Sequence, residues 1–144
     1  VIPPGSSRRV RQGTDVTVLT RGYALHRVAP IAERLEAEGG SVEVIDPRWL
    51  DRASFDRDGV LEAVGRTGAL VIVEDSLRSF GMGAPILDHL LPDLFDRLRT
   101  APLRVTGDDV FSPVSKPLES HVHVRDADIE TAIIAAAQAP RRQS

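Results

Sequence analysis

The sequence predicts an α/β fold, a three-layer α/β/α sandwich around a mostly parallel sheet. Short β-branched or apolar segments alternate with segments of helical periodicity, and glycine, proline or carboxylate residues bound the predicted strands. The continuous apolar run Leu70–Val73 is typical of a strand that helices cover on both faces. At 144 residues, the chain is long enough to bury a full core as one domain.

The predicted elements follow in the order βαβαβαβ, with a further strand and helix at the end. The strands are Asp15–Thr20, Val42–Ile45, Leu70–Val73, Leu103–Thr106 and an edge strand over Leu118–Val124. The helices are Tyr23–Ala37, Phe55–Gly65, Ala84–Leu91 and Asp126–Ala137. Pro92 predicts an interruption of the third helix and Asp126 the N-cap of the last, and a proline-rich loop is predicted over residues 107–118.

We interpret residues 1–14 as a linker that leads into the domain, residues 15–139 as the domain and residues 140–144 as a flexible tail. The chain does not begin with methionine, and we expect it to be a fragment, a processed product or part of a longer chain. The absence of cysteine excludes disulfides and thiolate chemistry, and the net charge of -3 weighs against a nucleic-acid partner. No apolar run approaches the roughly 18 residues of a membrane helix, and we expect a cytoplasmic protein.

The loops that follow the predicted strands carry most of the candidate functional residues, because open α/β sheets bind ligands at the carboxyl ends of their strands. The candidates are Asp46, Arg48, Trp49, Glu74, Asp75, Phe80, Gly81, Gly83, Asp109, Phe111 and, on the first helix, His26. We also expect the loops to form an interface, since they collect several of the few aromatic side chains of this sequence. Trp49 is interpreted either as a plug at the edge of the core or as a partner anchor.

The segment Gly81-Met82-Gly83 follows a strand and precedes a helix, a position where a helix N-terminus can hold a phosphate. It lacks the third glycine of a dinucleotide-binding fingerprint, and it is not a Walker loop. A tight strand-to-helix connection is therefore favoured over a direct ligand contact, and both interpretations stay open.

Titratable side chains offer weak candidates for chemistry. Glu74 and Asp75 could act as acid or base if burial raised the pKa of one of them, but such groups more often cap helices or pair with arginine. A surface or subunit contact is the favoured role of His26. His121 and His123 alternate along a predicted strand, and two histidines without a third ligand make a poor metal site. No Gly-x-Ser-x-Gly elbow supports a serine hydrolase.

Taken in order, several segments resemble the C-terminal domain of the transketolase-like thiamine enzymes. These are Val1–Gly5, Val10–Thr20, Val42–Leu50, Thr67–Asp75, Phe80–Ile86 and Ala101–Gly107, together with Phe55, Asp56, Asp109 and Pro113. The nearest likeness is to the beta subunit of the decarboxylating component of 2-oxo acid dehydrogenases. The sequence departs from that family at Pro47, Phe80 and Pro85, which stand where leucine, glycine and glutamate are usual.

The resemblance implies a structural and assembly role within a thiamine-diphosphate-dependent 2-oxo acid dehydrogenase. That enzyme oxidatively decarboxylates a 2-oxo acid and transfers the acyl group to lipoyl. The resemblance also implies that other domains hold thiamine diphosphate and Mg, and that this domain holds no cofactor, metal or catalytic residue. Its implied partners are other domains or subunits, a second copy in a homodimer, and the dihydrolipoyl acyltransferase. The alternatives are the same domain of a transketolase or deoxyxylulose-phosphate-synthase-type transferase, and a free-standing small-ligand-binding module that uses the Gly81 loop.

Overall fold

The structure, a computed structural model, describes residues 3–110 and 122–140. The strands in these residues are β1 (Arg8–Arg11), β2 (Val16–Thr20), β3 (Val42–Asp46), β4 (Leu70–Leu77) and β5 (Leu103–Gly107). The helices with both ends in these residues are α1 (Gly22–Ala37), α2 (Arg57–Thr67), α3 (Gly83–Leu94) and α4 (Asp126–Gln138).

The strands form one sheet in the order β1-β3-β2-β4-β5. Strand β1 runs antiparallel to β3, whereas β2, β3, β4 and β5 are parallel to one another. One cluster of buried side chains lies between the sheet and helices α1 and α4, and a second involves helices α2 and α3 on the opposite face. The predicted three-layer fold with a mostly parallel sheet is confirmed.

Side-chain alternation on the central strands supplies both clusters. On β4, Val71 and Val73 belong to the cluster under α1 and α4. Leu70 and Ile72 alternate with them and belong to the cluster under α2 and α3. Because both faces are covered, this strand carries the continuous apolar run from which it was predicted.

Helix α2 is fixed at both ends by local residues. Asp56 is its N-cap and accepts a hydrogen bond from the Gly59 backbone N–H at 3.1 Å. The backbone N–H and hydroxyl of Ser7 also donate to Asp56, at 2.8 and 2.6 Å. Burial by itself would raise the pKa of Asp56, but the hydrogen bonds from Ser7 and Gly59 outweigh it and hold that pKa below its usual value. At the other end, Gly68 adopts φ +70°, a left-handed conformation that suits glycine.

Strand β1 lies within residues 1–14, which the sequence had indicated as a linker, so that interpretation is wrong for Arg8–Arg11. Three of its four residues are arginines, and this composition does not predict a strand. The strand is held instead by pairing with β3 and by an ion pair from Arg9 Nε to Glu43 Oε1 at 2.7 Å. Both contacts join residues that are far apart in the sequence, which explains why local patterns did not predict the strand.

Two helix predictions also need correction. Helix α3 continues through Pro92 to Leu94 instead of stopping, because Leu90 and Leu94 on either side of the proline are both buried in the core. The N-cap of α4 is Arg125, and Asp126 lies in the first turn of that helix, where it accepts a hydrogen bond from Arg27.

The predicted edge strand over Leu118–Val124 is only partly within the described residues. Residues 122–124 are not a strand, and residues 118–121 lie outside the described part of the chain. The same holds for residues 111–118 of the predicted proline-rich loop and for residues 141–144 of the predicted tail.

Candidate functional site

The carboxyl ends of β2 and β4 lie side by side in the middle of the sheet. From β2 the chain crosses through α1 to β3 on one side, and from β4 it crosses through α3 to β5 on the other side. This is the topological switch point of the sheet, where a crevice opens between the diverging connections. A cavity of about 410 Å³ occupies the crevice. Its walls include Thr20, Gly22, Tyr23, Pro47, Leu50, Glu74, Asp75, Ser76, Phe80, Gly81 and Met82.

The glycine loop between β4 and α3 wraps around the carboxylate of Glu74. The Gly83 backbone N–H donates to Glu74 Oε2 at 2.8 Å, and Arg104 donates to Oε1 from Nη2 at 2.5 Å and from Nε at 3.2 Å. A Cβ added at either Gly81 or Gly83 would lie 2.6 Å from Glu74 Oε1. The protein's own carboxylate thus occupies the N-terminus of α3, a kind of position that can bind a phosphate.

Glu74 and Asp75 are neighbouring carboxylates in the second half of β4, and they point to opposite faces of the sheet. Glu74 packs against α3 and pairs with Arg104. Asp75 is exposed, and its Oδ1 lies 3.8 Å from Nδ1 of His123, in the segment before α4. Because strand geometry separates the two groups, they do not form a paired acid and base.

The loop after β3 contains a strained turn. The carboxylate of Asp46 is buried, and its Oδ1 accepts a hydrogen bond from the Arg48 backbone N–H at 3.0 Å. Arg48 has φ +62°, and the Trp49 backbone N–H donates to the Pro47 carbonyl at 2.6 Å, which closes a γ-turn. Trp49 is 37% exposed and belongs to neither buried cluster, so it lies at the surface, in a turn whose residues Pro47 and Leu50 line the cavity.

A hydrogen-bonded bridge joins the loops that follow β4 and β5. Asp109 accepts hydrogen bonds from the Ser79 hydroxyl at 2.5 Å and from its backbone N–H at 2.8 Å. These two bonds hold the pKa of Asp109 below its usual value. The bridge therefore holds the two loops against each other.

Of the large apolar side chains that are exposed in residues 3–110 and 122–140, most lie around the strand ends. We call Tyr23, Trp49, Leu77, Phe80, Met82 and Val110 the strand-end apolar surface. Phe80 is 82% exposed and Tyr23 is 67% exposed, and such clustering of large apolar groups is typical of an interaction site. His26 is exposed on α1 and does not line the cavity, and Phe111 lies outside the described residues.

Sequence reasoning selected Glu74, Gly81 and Gly83 but missed Arg104, the cation that neutralises Glu74. Arg104 lies on β5, 30 residues along the chain, and no local pattern links it to the loop. The strand pairing of β4 with β5 brings the two side chains together.

Metal and membrane signals are absent from the described ranges. Within residues 3–110 and 122–140, no three His, Cys, Asp or Glu side chains form a group that could hold a metal ion. In the same part of the chain, every helix is too short or too polar to cross a membrane.

Comparison with known proteins identifies the family. Residues 5–129 match the family described as "Transketolase, C-terminal domain". The chain belongs to this family. The resemblance seen in the sequence is therefore confirmed, and the switch-point crevice is a feature of a transketolase C-terminal domain.

Among sequence relatives, the pyruvate dehydrogenase E1 component subunit beta of Acholeplasma laidlawii is 34% identical over 120 residues. That match covers 83% of this chain and 36% of the relative. The 2-oxoisovalerate dehydrogenase subunit beta of Bacillus subtilis (strain 168) is 31% identical, and the match covers 92% of this chain and 40% of that protein. The chain thus corresponds to little more than a third of these relatives.

Among solved structures, one described as "Split gene transketolase, inactive beta4 tetramer" superimposes with a TM-score of 0.74 at 27% identity. The match covers 97% of this chain and 45% of that one. The fold described above is therefore the fold of one part of a longer subunit in that relative.

Proposed function

We propose that this chain is the C-terminal domain of the beta subunit of a thiamine-diphosphate-dependent 2-oxo acid dehydrogenase, in which it serves structure and assembly. The observation that carries the proposal is the match to beta subunits of two such dehydrogenases over 83% and 92% of this chain. The parent enzyme would oxidatively decarboxylate a 2-oxo acid and pass the acyl group to lipoyl. We place that enzyme in the cytoplasm.

The chemistry of the crevice supports an assembly role over a catalytic one. Thiamine diphosphate needs a diphosphate site and a divalent cation, but the N-terminus of α3 is already occupied by Glu74. The described residues also offer no cluster of metal ligands. These residues do not fit the cofactor, and we propose that other domains of the parent enzyme hold both thiamine diphosphate and Mg.

The strand-end apolar surface supports a partner contact. Its exposed aromatic side chains Tyr23, Trp49 and Phe80 are of the kind that anchors interfaces. We propose a second copy of the subunit as the partner across a two-fold axis, the commonest oligomeric arrangement. The structural relative described as a beta4 tetramer supports association between beta subunits. Docking of the dihydrolipoyl acyltransferase belongs to the same proposal.

Calorimetric titration tests whether other domains, and not this chain, bind the cofactor. The chain alone, titrated with thiamine diphosphate and Mg, should give no saturable heat. A dissociation constant in the low micromolar range, about -8 kcal/mol, would contradict the proposal. The parent enzyme under the same conditions is the positive control.

Sedimentation velocity tests whether a second copy of the chain is the partner. An isolated domain keeps only part of the subunit interface, so we expect weak self-association of micromolar order or poorer, about -8 kcal/mol or less favourable. Phe80→Ser removes the most exposed aromatic side chain of the strand-end apolar surface and should weaken the self-association, whereas Phe95→Ser, one residue past the end of α3, should not. A monomer at hundreds of micromolar in every variant would refute the second-copy contact.

A transketolase-type transferase is the second candidate, favoured by the structural relative described as a split gene transketolase. The two candidates differ in the reaction of the parent enzyme. Oxidation of a 2-oxo acid by an artificial electron acceptor would support the dehydrogenase. Ketol transfer from a ketose phosphate to an aldose would support the transferase.

A further inference from the structure

We infer that Asp46 is a positioning residue, which holds the turn over residues 46–50 in a strained conformation and so fixes Trp49 as an anchor for a second copy of this chain. The inference rests on the proposed function for its partner. The positioning itself is a property of the single chain, and it can be tested separately.

The strain lies at Arg48. Among residues 3–110 and 122–140, Arg48 is the only residue other than glycine with a positive φ, at +62°. This backbone conformation is unfavourable for a residue with a Cβ, and it persists only where surrounding contacts impose it. The Trp49 backbone N–H donates to the Pro47 carbonyl at 2.6 Å, so the tryptophan directly follows the strained residue and shares its turn.

Asp46 supplies the contacts that impose the strain. Its carboxylate accepts the Arg48 backbone N–H at 3.0 Å through Oδ1, and Oδ2 lies 3.4 Å from Arg48 Nε. Asp46 is the last residue of β3, opposite Arg8 of β1 in the sheet, and it is 5% exposed. The backbone of Asp46 is therefore held by the sheet, and its buried carboxylate contacts the turn.

The result is a pre-ordered anchor at the rim of the crevice. Pro47 and Leu50 line the cavity, and the partly exposed Trp49 lies between them in sequence. An aromatic group that is already ordered loses less conformational entropy when it binds, which strengthens association. A relaxed turn would lose this advantage even though Trp49 remained in the sequence.

A second copy is the occupant that the surface suits. Exposed charges of both signs lie near the carboxyl ends of two strands, with Arg48 two residues after the end of β3 and Asp75 two residues before the end of β4. A two-fold axis places the same patch on both partners, so charges of opposite sign can meet across it. The aromatic anchors Trp49 and Phe80 lie in the loops that follow these two strands, and aromatic anchors carry much of the energy of such contacts.

Trp49 is the only tryptophan of the 144 residues, so its fluorescence reports the turn directly. In dilute, monomeric protein, Asp46→Ala should lower the anisotropy of Trp49, whereas Asp46→Asn keeps an oxygen acceptor for the Arg48 N–H and should preserve it. Asp46→Ala should also raise the dissociation constant of self-association by up to about tenfold, because the turn and Trp49 would then have to be ordered on binding. Circular dichroism checks that each variant is folded.

Two matched variants at Arg48 test the same positioning role if Asp46→Ala does not fold. Both variants remove the guanidinium, but Arg48→Gly tolerates a positive φ and Arg48→Thr, with its β-branched side chain, does not. Arg48→Gly should keep the anisotropy of the wild type, and Arg48→Thr should lose it. Because both variants lack the Arg48 charge, their affinities are compared with each other, and Arg48→Thr should self-associate more weakly than Arg48→Gly.

The outcomes separate the inference from the proposed function. Equal Trp49 anisotropy in the wild type, Asp46→Ala and Arg48→Thr would overturn the positioning role, even if the wild type self-associates. A wild type that stays monomeric at hundreds of micromolar would overturn the second copy as occupant, which is a failure of the proposed contact. Lower anisotropy in Asp46→Ala and Arg48→Thr, together with weaker self-association, would support the inference in full.

Discussion

Glu43 offers the sharpest test of how the sheet is held together. Its side chain is 0% exposed on β3, between Arg9 of β1 and Arg66 of α2. Arg9 Nε lies 2.7 Å from Oε1, and Arg66 Nη2 contacts Oε2. The carboxylate carries a full desolvation cost, while the side chains of Arg9 and Arg66 keep 45% and 36% of their exposure. We therefore perturb the arginines and leave the buried charge in place.

The expected loss in the free energy of unfolding depends on how many arginine partners Glu43 keeps. Arg66→Met leaves Glu43 with Arg9, and the free energy of unfolding should fall by about 1–3 kcal/mol, the cost of one lost charged partner. Arg9→Met with Arg66→Met leaves the carboxylate buried without a cation, and the loss should reach about 3–5 kcal/mol. Adding Glu43→Met to the double variant removes the buried charge, so we expect stability to recover.

Urea unfolding, followed by circular dichroism, measures these differences at constant m-value. Arg57→Met is the matched control, because Arg57 pairs with Asp93 in an exposed ion pair between α2 and α3. That variant should lose about 1 kcal/mol or less.

Two results would refute the reasoning about the buried charge. One is a double variant that is no less stable than Arg57→Met. The other is a triple variant with Glu43→Met that is no more stable than the double variant, since an uncompensated carboxylate would then carry no measurable cost.

Three further predictions concern caps and loops. Asp56→Ala removes the α2 cap and should cost about 1–2 kcal/mol at neutral pH. Because the pKa of Asp56 is lowered on folding, its contribution is complete above the unfolded value of 3.8 and is lost as the pH falls through the lower folded value, so wild-type and variant stabilities should converge in acid. Gly83→Ala places a Cβ against Glu74 and should cost about 1–3 kcal/mol by urea unfolding. Ser79→Ala removes a donor to Asp109, and the pKa of that carboxylate, measured by NMR titration, should rise toward its usual value.

Each of these predictions has a result that contradicts it. A constant stability gap between wild type and Asp56→Ala down to strong acid would exclude the lowered pKa as its source. Gly65→Ala is the control for Gly83, because its Cβ would meet only Arg97 at 3.4 Å, and it should stabilise α2 by about 0.5–1 kcal/mol. Equal losses at Gly83 and Gly65 would contradict close packing on Glu74. An unchanged Asp109 titration in Ser79→Ala would show that the bridge does not form in solution.

The fold class could be predicted from local patterns because the sequence of each central element favours the structure that the element adopts. The β-branched run of β2, the apolar run of β4 and the helical spacing of α1 each specify their element without help from the rest of the chain. Pro92 was misread for the same reason, since its local signal is to stop a helix. Burial of Leu90 and Leu94 overrides that signal.

The candidate site was predicted only in outline. Sequence alone placed Asp46, Glu74 and Gly81 at strand ends, because a parallel sheet puts those ends at one edge. It could not distinguish a ligand loop from a structural one at Gly81. That distinction depends on the side chains of Glu74 and Arg104, which meet only after β4 and β5 pair.

The sequence by itself determined the alternation of strands and helices, the family to which the chain belongs, and the loops where partners could bind. Tertiary structure alone decided that Arg8–Arg11 is an edge strand, that Glu43 is a buried charge between two arginines, and that Arg48 is strained beside Asp46. Periodicity and turn residues act over a few neighbours, and they can be read in order along the chain. Ion pairs, close approaches and imposed backbone strain join residues that are brought together only when the sheet has formed.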